Sequence, residues 1–342
     1  MIFIYLFSLL FLILLINKFL LTKNLLISET GDRHQKFASS SKIPLTGGIF
    51  IFLGYLYFIN DEILSFILFS FTILILGIFS DLKLIKSASI RFLLQISIVL
   101  IFVVFNDIKI LDTRIFVLDS FLKNHIVNYF FISFCILVVI NGSNFIDGMN
   151  TLGIGYYLLI GFIILYLNLN QTIIVNDISI IYFLIILVFV FILNLFNKLY
   201  LGDSGSYLLG FTFSIFLIGI YNLNQNISPF FIVLLLWYPC YENLFSIIRK
   251  NILNRSPMAP DQNHLHQLIF FFIKKNHKLK IFSTNILTAQ IINFFNGCIF
   301  FIAINFIYSS QVQVLLILFN VILYTIIYFK LHFFKYKKHL KF

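Results

Sequence analysis

The stretch Tyr129-Phe-Phe-Ile-Ser-Phe-Cys-Ile-Leu-Val-Val-Ile-Asn141-Gly-Ser-Asn144-Phe-Ile-Asp147-Gly148 decides how this chain is read. An almost unbroken apolar run ends in polar side chains at Asn141, Asn144 and Asp147, spaced i, i+3 and i+6. On a helix these three lie along one stripe. A segment apolar enough to sit in lipid thus delivers two amides and a carboxylate to one membrane interface. A helix cap followed by a Gly turn is the plainer alternative, but a cap needs one Asn or Asp, not three.

The rest of the chain repeats the theme. Of 342 residues 61% are hydrophobic and only 11% charged, where a soluble domain carries about a quarter. Apolar runs near membrane-spanning length recur from end to end. They predict spans at about 1–21, 44–60, 63–80, 90–106, 127–143, 152–168, 178–196, 205–221, 228–247, 285–308 and 311–330. The first run, from Ile2 to Ile16, lacks the basic start and small-residue cleavage site of a signal peptide and reads as a retained span. The expected fold is an all-α membrane protein, a polytopic bundle of about ten or eleven transmembrane helices forming one multi-pass domain over residues 1–342. Its largest polar insertion is 248–284. Cys135, Cys240 and Cys298 fall in apolar runs without pairing or metal spacing.

Charge sets the orientation. With the N-terminus outside, Lys109, Arg114 and Lys123 share one outer loop, and all the rest of the 24 Lys and Arg fall on the opposite side. That asymmetry is the positive-inside pattern, and it predicts an N-out, C-in topology in the cytoplasmic membrane. It also accounts for the net charge of +11 without nucleic acid, for which no soluble basic domain exists. The acids Asp81, Asp147, Asp203, Glu242 and Asp261 fall on the inner side too, which argues for a site on the cytoplasmic face.

Four further constellations join the stripe there. Leu201-Gly202-Asp203-Ser204-Gly205-Ser206 flanks an acid with glycines and hydroxyls. Its backbone suits an anion and its Asp203 suits Mg²⁺; an ordinary N-cap is the alternative. Pro257-Met-Ala-Pro-Asp261-Gln-Asn-His264-Leu-His266-Gln267 places two His one residue apart, for a metal or a phosphate, with a surface His pair as the alternative. Gly77-Ile-Phe-Ser80-Asp81-Leu-Lys83-Leu-Ile-Lys86, followed by Arg91 and Gln95, sends an acid and several cations out of one span. The alternative there is a capping Asp beside a positive-inside flank. Pro44-Leu-Thr-Gly47-Gly48 opens a span, and close helix packing by small residues is its alternative. Together these groups are equipment for holding a phosphorylated, metal-bound substrate beside a lipid.

The ordered set P-x-x-G-G, G-x-x-x-D, N-x-x-N-x-x-D-G, G-D-S-G-S and P-D-x-x-H-x-H resembles the polyprenyl-phosphate N-acetylhexosamine-1-phosphate transferase family, from about Pro44 to Gln267. The resemblance implies transfer of a sugar-1-phosphate from a UDP-sugar to a polyprenyl phosphate such as undecaprenyl phosphate, with release of UMP. Mg²⁺ would assist, with Mn²⁺ as a substitute. The product would start a lipid-linked cell-surface glycan, such as the O-antigen of lipopolysaccharide. Asp203 would hold the metal, and Asp81, Asp147 and Asp203 would be catalytic. Lys86, Arg91, Asn141, Asn144, Lys198, Ser204, His264 and His266 would bind substrate. A homodimer is allowed but not required.

Four positions depart from the family pattern. Ser80 replaces one carboxylate of an acidic pair, Asn150-Thr151 replaces a second Asp-Gly, and Gln267 replaces a third His. The basic run before the double Gly reads Asp32-Arg33-His34-Gln35-Lys36. An inactive relative is therefore one rival reading, supported by Ser80 and Gln267. A transporter is another, but it would place its ionisable groups near the bilayer midplane in repeated halves.

Overall fold

The computed structural model describes residues 2–28, 42–56, 64–175, 177–254, 256 and 262–336. The run Asp32 to Lys36, the segment Pro257 to Asp261 and the tail after Tyr336 lie outside these. In order the helices are α1 (Ile2–Lys23), α2 (Gly47–Leu56), α3 (Leu64–Asp81), α4 (Ala88–Phe105), α5 (Phe116–Leu122), α6 (His125–Ile146) and α7 (Leu152–Leu169). There follow α8 (Asp177–Leu195), α9 (Gly202–Leu223), α10 (Pro229–Leu235), α11 (Trp237–Ile252), α12 (Leu265–Asn276), α13 (Ile281–Ile304) and α14 (Ser310–Tyr336).

Eight of these are long and apolar enough to cross a membrane, and α10 with α11 forms a ninth, bent candidate. The remaining predicted spans, 44–60 and 178–196, correspond to the shorter α2 and to α8. The chain is a multi-pass, all-helical membrane bundle, as its apolar runs predict. Helices α1, α4 and α14 show Phe11, Leu93 and Phe329 outward, which lipid tolerates and water does not.

At the centre stands α9, most of whose residues are buried. Lipid is as apolar as Leu, so tight contact between helices in a membrane relies on small residues. A Cβ on Gly77 would lie 2.3 Å from Ser204 Cα, one on Gly48 2.6 Å from Gly205 N, and one on Gly210 2.7 Å from Ile140 Cα. Helices α3, α2 and α6 thus each meet α9 backbone to backbone. Of the two readings of Gly47-Gly48, the structure supports close packing.

The 70° bend between α10 and α11 has an identifiable cause. Pro239 has no N–H to donate to the carbonyl four residues back, that of Leu235. The buried hydroxyl of Tyr156 donates to that carbonyl instead, at 2.8 Å. A carbonyl freed by proline inside a bundle needs such a substitute partner.

The loops gather at two ends, in the alternation read from charge. At one end the Arg114 guanidinium donates to the carbonyls of Asn226 at 2.9 Å, Ile227 at 2.8 Å and Tyr308 at 3.1 Å. At the other end the loops after α1, α3, α6 and α8 meet the α11–α12 connection around a cavity.

Candidate active site

The site begins with how α9 starts. Leu201 ends a loop, and Gly202 turns the chain with φ +69°, where a Cβ would stand 2.7 Å from Asp81 Oδ2. The amides of the first turn then point toward α3. Asp203 N donates to Asp81 Oδ1 at 2.8 Å and Ser204 N to Asp81 Oδ2 at 3.1 Å. The last residue of α3 therefore caps α9 from another helix and balances the partial positive charge there. Both oxygens of Asp81 are engaged in this, so the helix start holds a protein carboxylate.

Asp203 turns the other way, into the cavity. Its Oδ1 accepts Asn144 Nδ2 at 2.7 Å. Its Oδ2 is paired with Arg91 Nη1 at 2.9 Å and also accepts the Ser80 hydroxyl. Arg91 donates to Ser80 in turn, so Ser80 bridges the ion pair. Asn141, one turn before Asn144, donates to Gln95 Oε1 at 3.0 Å. The α6 stripe therefore turns Asn141 and Asn144 toward this network, while Asp147 ends the helix.

These groups line one cavity of about 1020 Å³. Asp81, Asp147, Asp203, Lys86, Arg91, Asn141, Asn144, His264 and His266 all face it. Two expected substrate contacts do not. Lys198 is exposed, in the turn after α8, and Ser204 is wholly buried, its amide used by Asp81. Asp147 follows the last turn of α6, and burial pushes its carboxyl well above the usual range, with the negative charges of Asp203 and Asp81 adding to the effect.

The His pair lines the same cavity. His264 Nδ1 lies 2.9 Å from Glu242 Oε1, and the Tyr324 hydroxyl donates to Glu242 Oε2 at 2.7 Å. The rings of His264 and His266 stack at 5.6 Å. His266 is fully buried, both its ring nitrogens lack a partner among the described residues, and burial lowers its pKa to about 3. Burial there favours the neutral imidazole, which can meet a ligand by hydrogen bonding. Gln267, where the family pattern has a third His, accepts the His264 amide at 3.2 Å and closes the start of α12.

The second departure is also absorbed by packing. Thr151 sits at φ +66°, in the left-handed region where the family pattern's Gly is at ease. Asparagines hold the turn: Asn285 Oδ1 accepts the Asn150 amide at 2.8 Å and Asn194 Oδ1 the Thr151 amide at 2.6 Å.

Glu242, Lys250, Gln95, Tyr207 and Tyr324 belong to the site or its support without having been assigned a role from sequence. Glu242 carried a signal, as a carboxylate inside an apolar stretch. Tyr324 carried none, because a hydroxyl in a span has no pattern of its own.

No group of three His, Cys, Asp or Glu stands close enough to hold a metal among the described residues, so a closed protein cage is excluded there. The donor set does fit a hard cation that keeps waters and substrate phosphate oxygens as most of its ligands. Asp203 Oδ1 accepts one hydrogen bond and retains a lone pair for that purpose. Near it, Gln95 Nε2 and Arg91 Nε are buried donors without a partner among the described residues. An anion-rich ligand would satisfy them.

Residues 63–221 match the family profile described as glycosyl transferase family 4. The chain is 26% identical over 249 residues to a protein of Bacillus subtilis (strain 168) named probable undecaprenyl-phosphate N-acetylglucosaminyl 1-phosphate transferase, covering 67% of this chain and 66% of that protein. It is 26% identical over 227 residues to the undecaprenyl-phosphate alpha-N-acetylglucosaminyl 1-phosphate transferase of Thermotoga maritima, covering 66% of this chain and 67% of that one. The similarity thus spans about two thirds of each relative.

Proposed function

We propose that the chain, whose residues 63–221 match the glycosyl transferase family 4 profile, transfers an N-acetylhexosamine-1-phosphate from a UDP-sugar to a polyprenyl phosphate, undecaprenyl phosphate being the first choice. An oxygen of the lipid phosphate attacks the phosphorus that carries the sugar. The bond from that phosphorus to the oxygen bridging it to the uridine phosphate breaks, and UMP leaves with that oxygen. The sugar stays on the lipid through a new diphosphate.

The observation that carries this reading is the convergence of Asp203, Arg91, Asn144 and the His264–His266 pair on one cavity at the basic end of the bundle. Phosphoryl transfer is mostly positioning and charge neutralisation. Arg91, with Lys86 and Lys250 also lining the cavity, supplies positive charge. Asn144 and Arg91 fix the direction of Asp203. Phe92, Phe134, Leu137 and Leu244 form an apolar wall beside these groups, fit to receive an isoprenoid next to its phosphate. Asp203 would hold Mg²⁺, or Mn²⁺ in its place. The ion would neutralise the diphosphate, charge that Arg91 shares. The excess of Lys and Arg on this side supports a cavity that opens at the cytoplasmic face of the cytoplasmic membrane.

The test is purified protein with undecaprenyl phosphate, labelled UDP-N-acetylglucosamine and Mg²⁺. The expected result is one UMP released per sugar moved to the lipid phase, lost on chelation and restored by Mg²⁺ or Mn²⁺. Absence of UMP release with every UDP-N-acetylhexosamine offered would refute the reading.

A further inference from the structure

Glu242 is 1% exposed and sits on α11, beyond the bend that Pro239 makes. Its two oxygens have separate partners. Oε1 lies 2.9 Å from His264 Nδ1, and Oε2 receives the hydroxyl of Tyr324, on the last helix, at 2.7 Å. A carboxylate only accepts, so it places a proton on Nδ1. His264 lines the cavity, and with Nδ1 turned to Glu242 its other nitrogen, Nε2, is left for what the cavity holds. The ring is held flat as well. Phe145 lies at 5.2 Å and His266 is stacked with it at 5.6 Å and 6°.

We propose that Glu242 is a positioning residue for His264: it holds the imidazole with Nε2 toward the diphosphate of the bound nucleotide, and Tyr324 holds Glu242. This rests on the UDP-sugar reading above. The logic is that of a carboxylate behind a ligand-binding His, which fixes the tautomer and the orientation of the ring. It gives α14, a helix outside the span that matches the family profile, a part in substrate binding. It also assigns a purpose to a buried acid that the acid cluster around Asp203 does not use.

The experiment is calorimetric UDP binding to the purified full chain, comparing wild type with Glu242→Gln, His264→Ala, the double variant and Tyr324→Phe. Glu242→Gln keeps the size and loses the charge, and the expected Kd for UDP rises about tenfold. Tyr324→Phe should weaken binding about twofold to fourfold, and it carries the test if Glu242→Gln fails to fold. In the His264→Ala background Glu242→Gln should add no further loss, because its effect runs through the ring. It should instead raise the melting temperature of His264→Ala, by removing a buried charge left without its partner. A merely structural Glu242 would show the same loss of UDP affinity in both backgrounds, and that result overturns the proposal. So does UDP binding within twofold of wild type in both Glu242→Gln and Tyr324→Phe. Wild type that binds no UDP instead refutes the functional reading itself, and this inference with it.

Discussion

Arg91 and Asp203 form an ion pair across the mouth of α9, Nη1 to Oδ2 at 2.9 Å, and the hydroxyl of Ser80 sits between them as acceptor from one and donor to the other. Both side chains are about one quarter exposed, so the pair faces the cavity rather than a sealed interior. Ser80 stands where the family pattern has a second acid. In this network a hydroxyl takes part without adding a negative charge beside Asp203.

That arrangement separates two substitutions at adjacent positions of the network. Asp203→Asn removes the charge that Arg91 and Asn144 converge on, and turnover should fall at least about a hundredfold, as when a main electrostatic contact is lost. Ser80→Ala removes two hydrogen bonds, worth about 1 kcal/mol each, and leaves the direct Arg91–Asp203 pair in place, so turnover should drop by no more than about thirtyfold. Ser80→Asp should not be needed for activity. Assays of the three variants beside wild type decide the matter. An inert wild type revived by Ser80→Asp would mark the chain as a degenerate relative.

Asp81 makes a different prediction from Asp203, because its oxygens receive two α9 amides. Asp81→Asn turns one acceptor into an NH₂ facing a backbone N–H, leaving a buried donor unpaired at a cost of about 1–3 kcal/mol. The protein should lose thermal stability as well as turnover. Gly202→Ala should act likewise, since a Cβ there meets the Asp81 carboxylate at a positive φ. Melting curves in detergent check both; an unchanged melting temperature for Asp81→Asn would remove its capping role.

The bend between α10 and α11 gives a prediction away from the acid cluster. Tyr156→Phe deletes the donor to the Leu235 carbonyl that Pro239 cannot serve. The expected loss is about 1–3 kcal/mol of stability, with weaker UDP binding because Glu242 lies on the far side of the bend. A variant as stable as wild type would mean that another group satisfies that carbonyl.

The bundle was legible in the sequence because lipid imposes a strict rule, long apolar runs with the charge held at their ends, and α3, α6 and α9 obey it. The cluster was legible where polar residues repeat at helical spacing, as in Asn141, Asn144 and Asp147. The contacts between helices were not. Nothing in the order of residues says that Asp81 caps α9, that Tyr156 serves Leu235, or that Tyr324 reaches Glu242 across a separation of 82 residues. Lys198 and Ser204 were misplaced for the same reason: each adjoins a motif, but neither faces the cavity. A one-residue shift along a helix turns a side chain by about 100°, which sequence adjacency does not register.

His266 supplies a pH dependence whose sign follows from its burial. Its pKa falls to about 3 in the folded protein from the ordinary 6.5, because burial disfavours the charged ring and the neighbouring His264 adds to that effect, against a smaller opposing pull from Glu242. Below 6.5 the unfolded chain takes up a proton that the folded chain refuses until about 3. The unfolded state then binds more protons, so stability rises with pH across that window. The contribution is complete above 6.5 and is lost as the solution is acidified toward 3, by about 1.4 kcal/mol for each full unit once the unfolded His is protonated. Asp147 works in the opposite sense, since its raised pKa favours the folded state on acidification; comparison of wild type with a His266 variant cancels that term. Melting temperature measured from pH 8 to pH 4 should fall more steeply below 6.5 in wild type than in His266→Asn, which keeps a polar side chain but cannot titrate. Parallel curves would show that His266 takes up its proton in the folded protein as it does in the unfolded chain.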